Sequence, residues 1–152
     1  MRQLFRSTCP VSSALDLIGD KWSILIVRDM LVRGKKTFKE FSESAEGIAP
    51  GILSSRLKWL EENGLISKQK LPKNLKENIY LLTEKGIELA PVITELIYWS
   101  DNNLRDQNPE MPLISQIGDV SDKSALISSI QNNYRELIKE TLSLENKKTA
   151  TL

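Results

Sequence analysis

The chain has 152 residues, of which 40% are hydrophobic and 27% charged, and its net charge is +1. That length and apolar content suit one domain with its own core, and no apolar run approaches the roughly 20 residues of a membrane-spanning helix. Histidine is absent, cysteine occurs once and no signal peptide is recognisable, so we expect a cytoplasmic protein with no membrane partner, metal, cofactor or enzymatic activity.

The first two helices are predicted from the segments CPVSSALDLIG and KWSILIVRDMLVRG. Pro10 suits the first position of a helix, an apolar stripe follows it, and Gly19 can end the helix. Asp20 can cap the second helix, which is apolar around most of its circumference and ends at Gly34. Such a helix is normally buried on several sides.

The third and fourth helices have the clearest boundary signals. Thr37 and Glu40 have the spacing of a capping box, which predicts a short helix as far as Ser44. The segment GIAPGILSSRLKWLEENGLI predicts a fourth helix over residues 50–62. It starts with a proline at the first position, and Gly64 can end it in a Schellman closure.

The outward side of the fourth helix is predicted to be short and polar. Leu53, Leu57 and Leu60 form its buried stripe at helical spacing. The opposite side carries small, hydroxylated or basic residues: Gly51, Ser54, Ser55 and Lys58. An α-helix fits the major groove of DNA only if its leading side chains are short, and the amides of its first turn can bind phosphate. The pattern favours a DNA-reading helix, although small residues on a solvated face are also common.

A lysine-bearing hairpin follows over residues 65–82, with strands predicted in LISKQKLP and ENIYLLT and a polar turn from Lys73 to Lys76. From Arg33 to Lys76 there are ten Lys or Arg and five Glu, whereas from Leu104 onward there are six Lys or Arg and seven acidic residues. A local basic excess is typical of nucleic-acid binding, although a solubilising sheet edge is the alternative. Two short helices and a basic hairpin predict a winged helix-turn-helix that is mainly α.

The rest of the chain predicts two more helices. Thr83 can cap a fifth helix, in which Pro91 should cause a kink or a break. A last amphipathic helix is predicted from about Ser121 to Leu144. We therefore expect a DNA-binding domain over 1–104, a connection over 105–118 and a C-terminal helical extension over 119–152.

The segments CPVSSALDLIGDKWSILIVRDML, FKEF, GIAPGILSSRLKWLEENGLI, YLLTEKG and ELAPVI resemble the HxlR-type winged helix-turn-helix family, a MarR-like family of bacterial transcription regulators. The resemblance runs from Cys9 to about Trp99. It implies a homodimer that binds a palindromic operator in double-stranded DNA through recognition helix 50–62 and wing 65–82, and we expect repression rather than activation. The expected DNA-binding residues are Lys21, Lys36, Pro50, Gly51, Ser54, Ser55, Arg56, Lys58, Lys68, Lys70, Lys73 and Lys76.

The resemblance also implies that Cys9 senses oxidants or electrophiles, because redox-sensing relatives place a cysteine there. The helix dipole, and Arg6 nearby in sequence, would favour the reactive thiolate. A single cysteine cannot form a disulfide within the chain, so oxidation would give a bridge to the partner subunit, a mixed disulfide or an adduct. The alternative is that Cys9 packs as a small buried residue.

Alternatives also remain for the function of the winged helix and for the role of the C-terminal extension. A winged helix can serve protein contacts alone, without DNA binding. Gly51 stands where many relatives have a basic residue, so one phosphate contact is expected to be missing. The C-terminal helix could enlarge the dimer interface, cover an effector pocket or pack on its own domain. The first helix and the helix containing Pro91 are expected to form the dimer contacts.

Overall fold

The structure is a computed structural model that describes residues 5–71 and 74–149, with side chains described as far as Ser143. In this part of the chain there are seven α-helices, one 3-10 helix and one antiparallel two-stranded sheet, which confirms the predicted fold class. The chain divides into two compact units, the first ending at Gly86 and the second beginning at Ile87.

The first unit contains four helices followed by the hairpin. Its elements are α1 (Pro10–Ile18), α2 (Ser23–Arg33), α3 (Phe38–Ser42), α4 (Pro50–Glu62), β1 (Ile66–Leu71) and β2 (Asn74–Leu82), with the short α5 (Glu84–Ile87) at the boundary. Its core is formed mainly by buried aliphatic side chains of α2, α4 and the hairpin, together with Phe41 of α3. The ring of Phe41 meets the edge of the Tyr80 ring at a centroid distance of 6.2 Å, which packs the hairpin against α3.

The start of α2 is set by Asp20, as expected, but it lies later than the sequence suggested. The Asp20 carboxylate accepts hydrogen bonds from the amides of Trp22 and Ser23 and from the Ser23 hydroxyl, at 2.6–3.0 Å. These bonds fix a turn before the helix, so α2 begins at Ser23 and Lys21 lies in the turn. Burial raises the pKa of Asp20, but its hydrogen bonds with Ser23 and Trp22 and the charge of Arg56 lower it below its ordinary value.

The capping box of α3 is confirmed. The hydroxyl of Thr37 accepts from the amide of Glu40, and the carboxylate of Glu40 accepts from the amide of Thr37, both at 3.2 Å. The helix ends at Ser42, earlier than predicted. The amides of Ser44 and Gly47 then bond to carbonyls three residues back, which tightens the turn between α3 and α4.

The limits of α4 agree with the prediction at both ends. Pro50 occupies the first position, and the chain leaves the helix at Gly64 with φ +75°. The amide of Leu65 donates to the carbonyl of Leu60 at 2.9 Å and that of Gly64 to Glu61 at 3.0 Å, the two bonds of a Schellman motif.

The hairpin pairs Ile66 with Leu82 at its base and becomes irregular between Lys70 and Leu71. The strand β2 begins at Asn74, so the polar turn predicted from Lys73 to Lys76 was wrong in that residues 74–76 are strand. The hairpin is also joined to the segment before α3. Thr37 forms an isolated bridge with Ile79, and the amide of Tyr80 donates to the carbonyl of Lys36 at 2.7 Å.

The second unit consists of α6 (Ala90–Leu104), a 3-10 helix (Ile114–Ile117) and α7 (Lys123–Thr149). The break expected at Pro91 is confirmed. The helix α5 ends at Ile87, and a separate helix, α6, begins at Ala90, the residue before Pro91. Lys123 joins α7 to α6 through a 2.9 Å ion pair with Glu95 and a position over the Tyr98 ring. The predicted limits 1–104, 105–118 and 119–152 remain predictions.

Candidate nucleic-acid interface

The outer face of α4 is short and open, as the sequence predicted. Leu53, Leu57 and Leu60 are buried, whereas the residues opposite them are exposed: Gly51, Ser54, Ser55 and Lys58. Apart from its chain neighbours and the nearby backbone of its own helix, no described heavy atom lies within 4 Å of the position that a Cβ on Gly51 would occupy. Nothing in the described part of this unit therefore covers the first turn, and the backbone of α4 can approach another surface closely.

The first turn of α4 also offers backbone donors. Ala49 precedes the helix in an extended conformation and provides no side-chain cap, and Pro50 has no amide hydrogen. The first amide with an intrahelical acceptor is that of Leu53, which donates to Ala49 at 2.9 Å. The amides of Gly51 and Ile52 therefore face outward at the positive end of the helix dipole, an arrangement that suits a phosphate group.

The side chain of Arg56 contacts other side chains of the protein, whereas we expected it to lie towards the phosphates. Its guanidinium lies 3.7 Å from the carboxylate of Asp20 and 5.7 Å from the centroid of the Trp59 ring. The indole nitrogen of Trp59 in turn donates to the carbonyl of Leu17 at 2.8 Å. Trp59 therefore joins α4 to the end of α1, and Arg56 joins it to the turn that follows. A role of Arg56 at a phosphate stays a prediction.

The exposed lysines of α4 and β1 are only loosely paired. Lys58 lies 3.8 Å from Glu62 on the next turn, and Lys68 lies 3.9 Å from Glu61. Exposed pairs at such distances contribute little to stability, so these ammonium groups can turn to another anion at little cost. The phosphate contacts predicted for Lys58 and Lys68 stay predictions.

The hairpin presents Lys70 and Lys76 as exposed side chains on its two strands. The ammonium of Lys70 donates to the carbonyl of Leu75 across the hairpin at 2.8 Å. Lys73 was also predicted to contact DNA, and it lies outside the described residues. The two described lysines thus place positive charge near the end of the hairpin that is distant from the core.

Lys21 and Lys36, both predicted to contact DNA, differ in their exposure. Lys21 is exposed in the turn before α2, with its ammonium 5.0 Å from the centroid of the Trp22 ring. Lys36 is half-buried, and its amide donates to the carboxylate of Glu40 at 2.6 Å while its carbonyl accepts from Tyr80. Lys21 is therefore placed to reach a ligand, whereas the backbone of Lys36 joins α3 to the hairpin.

Sequence reasoning missed a polar cluster behind the turn that leads into α4. Asp29 has a side chain only 3% exposed, and it pairs with Arg28 at 2.8 Å, Arg33 at 3.1 Å and Lys35 at 3.3 Å. The hydroxyl of Ser44 also donates to this carboxylate and accepts from Lys35 at 2.7 Å. The regular apolar pattern of α2 marked Asp29 as its one acidic residue, but gave no sign of partners so distant in sequence.

Glu46 extends the cluster to the residue just before Gly47. Arg28 donates to both oxygens of Glu46, at 2.6 and 3.1 Å, and this lowers the pKa of Glu46 to about 2. Burial raises the pKa of Asp29, but the hydrogen bonds from Ser44 and Arg28, with nearby positive charge, lower it below its ordinary value. We call Arg28, Asp29, Lys35, Ser44 and Glu46 the Asp29 cluster.

Cys9 is exposed at the start of α1, so it is not a core residue of the single subunit. Its carbonyl accepts from the amide of Ser13 at 2.9 Å, and its own amide donates to the hydroxyl of Ser7 at 3.2 Å. Arg6, which was expected to favour the thiolate, is instead paired with Asp16 at 2.5 Å. The thiol therefore stands at a helix N-terminus without that arginine as its partner.

A helix pair whose second helix exposes a small polar face, followed by a hairpin with exposed lysines, defines a winged helix-turn-helix of the kind found in DNA-binding transcription regulators. A family model described as HxlR-like helix-turn-helix matches residues 17–108. That match covers more than half of the chain, so the chain belongs to the HxlR family of helix-turn-helix transcriptional regulators.

Individual relatives support the same assignment. The transcriptional regulator YodB of Bacillus subtilis is 42% identical over 94 residues, which cover 61% of this chain and 83% of YodB. The solved structure of its reduced form matches with a TM-score of 0.54 at 40% identity, covering 64% of this chain and 95% of that one. Quinone-bound and diamide-treated forms of YodB match similarly.

Two further solved structures are similar. The redox regulator HypR in its oxidized form matches with a TM-score of 0.56 at 32% identity, covering 62% of this chain and 97% of HypR. PA1607, a protein proposed to be a transcription factor, matches with a TM-score of 0.65 at 33% identity, covering 77% of this chain and 79% of that one. In the described residues, no helix is both long and apolar enough to cross a membrane.

Proposed function

We propose that the protein binds a palindromic operator as a homodimer, with α4 in the major groove and the hairpin alongside it on the DNA backbone. The outer face of α4 supports this most directly, because its residues are exposed and short and its first amides are free for a phosphate. In a two-fold dimer the two α4 helices would enter major grooves about one helical turn apart, or a multiple of it.

Different residues of this surface would contribute to affinity and to sequence specificity. Ser54 and Ser55 can bond to base edges, because hydroxyl groups both donate and accept. Lysines and the amides of Gly51 and Ile52 would bind phosphates, which fix the register without reading sequence. The phosphate-binding side chains would be Lys21, Lys58, Lys68, Lys70, Lys73 and Lys76, with Arg56 and Lys36 at the edge of this surface.

A homodimer would cover apolar side chains that each unit leaves exposed. On α1, Val11 is 67% and Leu15 53% exposed, and α1 has no buried residue. On α6, Val92, Leu96 and Trp99 lie at helical spacing and are 41–58% exposed. Burial of such side chains stabilises association in proportion to the apolar area removed from water.

We further propose repression in the cytoplasm, by occupation of a promoter that polymerase needs. The family match ends at residue 108, which supports residues 1–104 as the DNA-binding domain, 105–118 as a connection and 119–152 as an extension. The effector would be an oxidant or electrophile that reacts with Cys9. The relatives support this, since YodB has been solved in quinone-bound and diamide-treated forms and HypR in an oxidized form.

The chemistry at Cys9 would follow the reagent. Attack of the thiolate on a quinone forms a sulfur–carbon bond, and the ring takes up the electron pair and a proton. Diamide instead joins two thiols, whose two electrons and two protons reduce its nitrogen–nitrogen double bond. The chain has one cysteine, so the second thiol would be that of the partner subunit or of a small molecule.

A salt titration tests DNA binding. The protein is titrated against a duplex from its own upstream region and against a scrambled duplex of equal length, at several salt concentrations. We expect preference for the upstream duplex and an affinity that falls by about 10³–10⁵ between 50 and 200 mM salt if six to ten phosphates are neutralised. If no upstream or genomically selected duplex is preferred over scrambled DNA, the fold serves protein contacts instead.

A Cys9→Ser variant tests the sensor. Wild-type protein should lose operator binding when treated with diamide or a quinone, whereas the variant should keep it, because serine lacks a reactive thiolate. Addition of a reducing thiol after diamide should restore binding by the wild type. Equal loss of binding by both proteins would show that Cys9 is not the sensor.

A further inference from the structure

The Asp29 cluster connects three parts of the first unit that are separate in sequence. Asp29 belongs to α2, Lys35 to the loop after it, and Ser44 and Glu46 to the turn between α3 and α4. Arg28 bridges Asp29 and Glu46 through two hydrogen bonds to each carboxylate. Apart from the two bonds between the neighbours Arg28 and Asp29, the bonds of this set join α2 to the other two segments. The bond between Lys35 and Ser44 joins those two segments to each other.

One branch of the cluster reaches α4. Ser44 is bonded to Asp29, and Glu46 is bonded to Arg28. Gly47 follows with φ +69°, a left-handed conformation. Only three residues separate Glu46 from Pro50, the start of α4. The direction in which the chain enters α4 is thus determined by side chains anchored on α2.

The other branch reaches the hairpin. The amide of Lys35 donates to the carbonyl of Asp29 at 3.0 Å, and its ammonium lies between Asp29 and Ser44. The next residue, Lys36, accepts from the amide of Tyr80, and Thr37 bridges to Ile79. The backbone that carries Lys35 is therefore also the backbone that holds strand β2.

We propose that Asp29 is a positioning residue for DNA recognition: through Ser44, Lys35 and Arg28 it fixes the start of α4 relative to the hairpin. Buried ion pairs contribute little net stability, because the cost of desolvating the charges offsets most of their attraction. Their directional bonds do restrict geometry, and a recognition surface must be held to within about 0.5 Å to make its contacts. The inference rests on the proposed DNA-binding function.

Ser44→Ala and Glu46→Ala test this without removing the buried charge itself. Glu46→Ala removes both hydrogen bonds that Arg28 donates to the turn. Ser44→Ala removes the bond to Asp29 and the one from Lys35. Each variant leaves Asp29 with its other partners. Matched controls are Ser42→Ala, whose hydroxyl bonds only to the carbonyl of Lys39 among the described residues, and Glu43→Ala, an exposed glutamate in the same turn. Asp29→Asn removes the charge, and its fold is checked by circular dichroism.

Two measurements are made on the full chain: affinity for a duplex selected by the wild type and for a scrambled duplex, and amide hydrogen exchange over residues 43–53. The two test variants should lose specific affinity on the order of tenfold, the scale of one lost base contact, with unchanged affinity for scrambled DNA. Exchange over 43–53 should accelerate in them while exchange in α2 does not change. The controls should match the wild type in both measurements.

Each other outcome has a definite meaning. Wild-type exchange and wild-type specificity in both test variants would overturn the positioning role. So would an equal loss of specific and scrambled binding, which indicates lost charge or lost fold. If the wild type itself prefers no duplex, the proposed DNA-binding function fails, and the exchange rates alone then decide whether the cluster fixes the turn.

Discussion

The outer face of α4 and the turn that precedes it use the same residue types in opposite ways. Ser54 and Ser55 are exposed on α4, whereas Ser44 donates to the buried carboxylate of Asp29. Lysines differ similarly, since Lys58 is 77% exposed at its side chain and Lys35 is 19% exposed. A basic, serine-rich stretch therefore contains two groups of side chains, and partners rather than composition decide which group is available to DNA.

The largest expected effect on operator affinity comes from a substitution on the exposed face of α4. Ser55→Glu should reduce operator affinity by at least two orders of magnitude, because it sets a carboxylate against phosphates and base acceptors. The melting temperature should stay within a few degrees, since the side chain is exposed. Fluorescence anisotropy titration measures the affinity, with Ser128→Glu on the exposed side of α7 as a control that should bind normally. Normal binding by Ser55→Glu would remove α4 from the interface.

A buried residue of the same helix should show the opposite behaviour. Leu57→Ala should lower the free energy of unfolding by ~2–5 kcal/mol, because Leu57 is 2% exposed and its truncation leaves a cavity. Urea denaturation followed by circular dichroism measures this. The fraction that remains folded should bind the operator nearly as the wild type does, and a loss of affinity larger than the loss of folded protein would contradict the assignment of Leu57 to the core.

Removal of one hairpin charge should have a moderate and uniform effect. Lys70→Ala should weaken binding to the operator and to scrambled DNA alike, because phosphate contacts are not sequence-specific. The slope of log affinity against log salt should become shallower by about 0.9. Lys139→Ala, which removes an exposed lysine paired with Glu136 on α7, should change neither quantity. A change confined to the operator would instead assign Lys70 to base reading.

The smallest expected effect concerns acid stability and the Asp29 cluster. Arg28 holds the pKa of Glu46 at about 2, below its ordinary value of 4.5. Because the folded-state pKa is lowered, the ion pair stabilises the fold fully above pH 4.5, and this contribution is lost as the pH falls from 4.5 towards 2. In Glu46→Gln the fall in melting temperature between pH 5 and pH 3 should be slightly smaller. An identical fall in both proteins would show that this pair does not titrate as described.

Local signals were enough to predict where several helices begin, end or break. The capping box of Thr37 and Glu40, the limits of α4 at Pro50 and Gly64, and the break at Pro91 all depend on residues a few positions apart, and all are confirmed. The exposed face of α4 follows from the same helical spacing, so the candidate site was largely predictable too.

Contacts between distant residues were not predictable in this way. The bonds from Asp29 to Ser44 and from Arg28 to Glu46 join residues 15 and 18 positions apart, and no periodicity encodes them. The start of α2 at Ser23 was misjudged by two residues, because the side chain of Asp20 holds Lys21 and Trp22 in a turn through its own hydrogen bonds. Sequence spacing therefore indicates which face is polar, but not which polar groups are already paired.

Trp59 gives this molecule an optical probe in a useful place. Its indole nitrogen is bonded to the end of α1, and the guanidinium of Arg56 lies over its ring. The emission of an indole depends on its hydrogen bond and on nearby charge, so a displacement of α1 relative to α4 would change the fluorescence of Trp59. After Trp22 and Trp99 are replaced by phenylalanine, Trp59 is the one remaining tryptophan. Its fluorescence would then report, in real time, whether a reagent attached at Cys9 displaces α4, the helix proposed to read DNA.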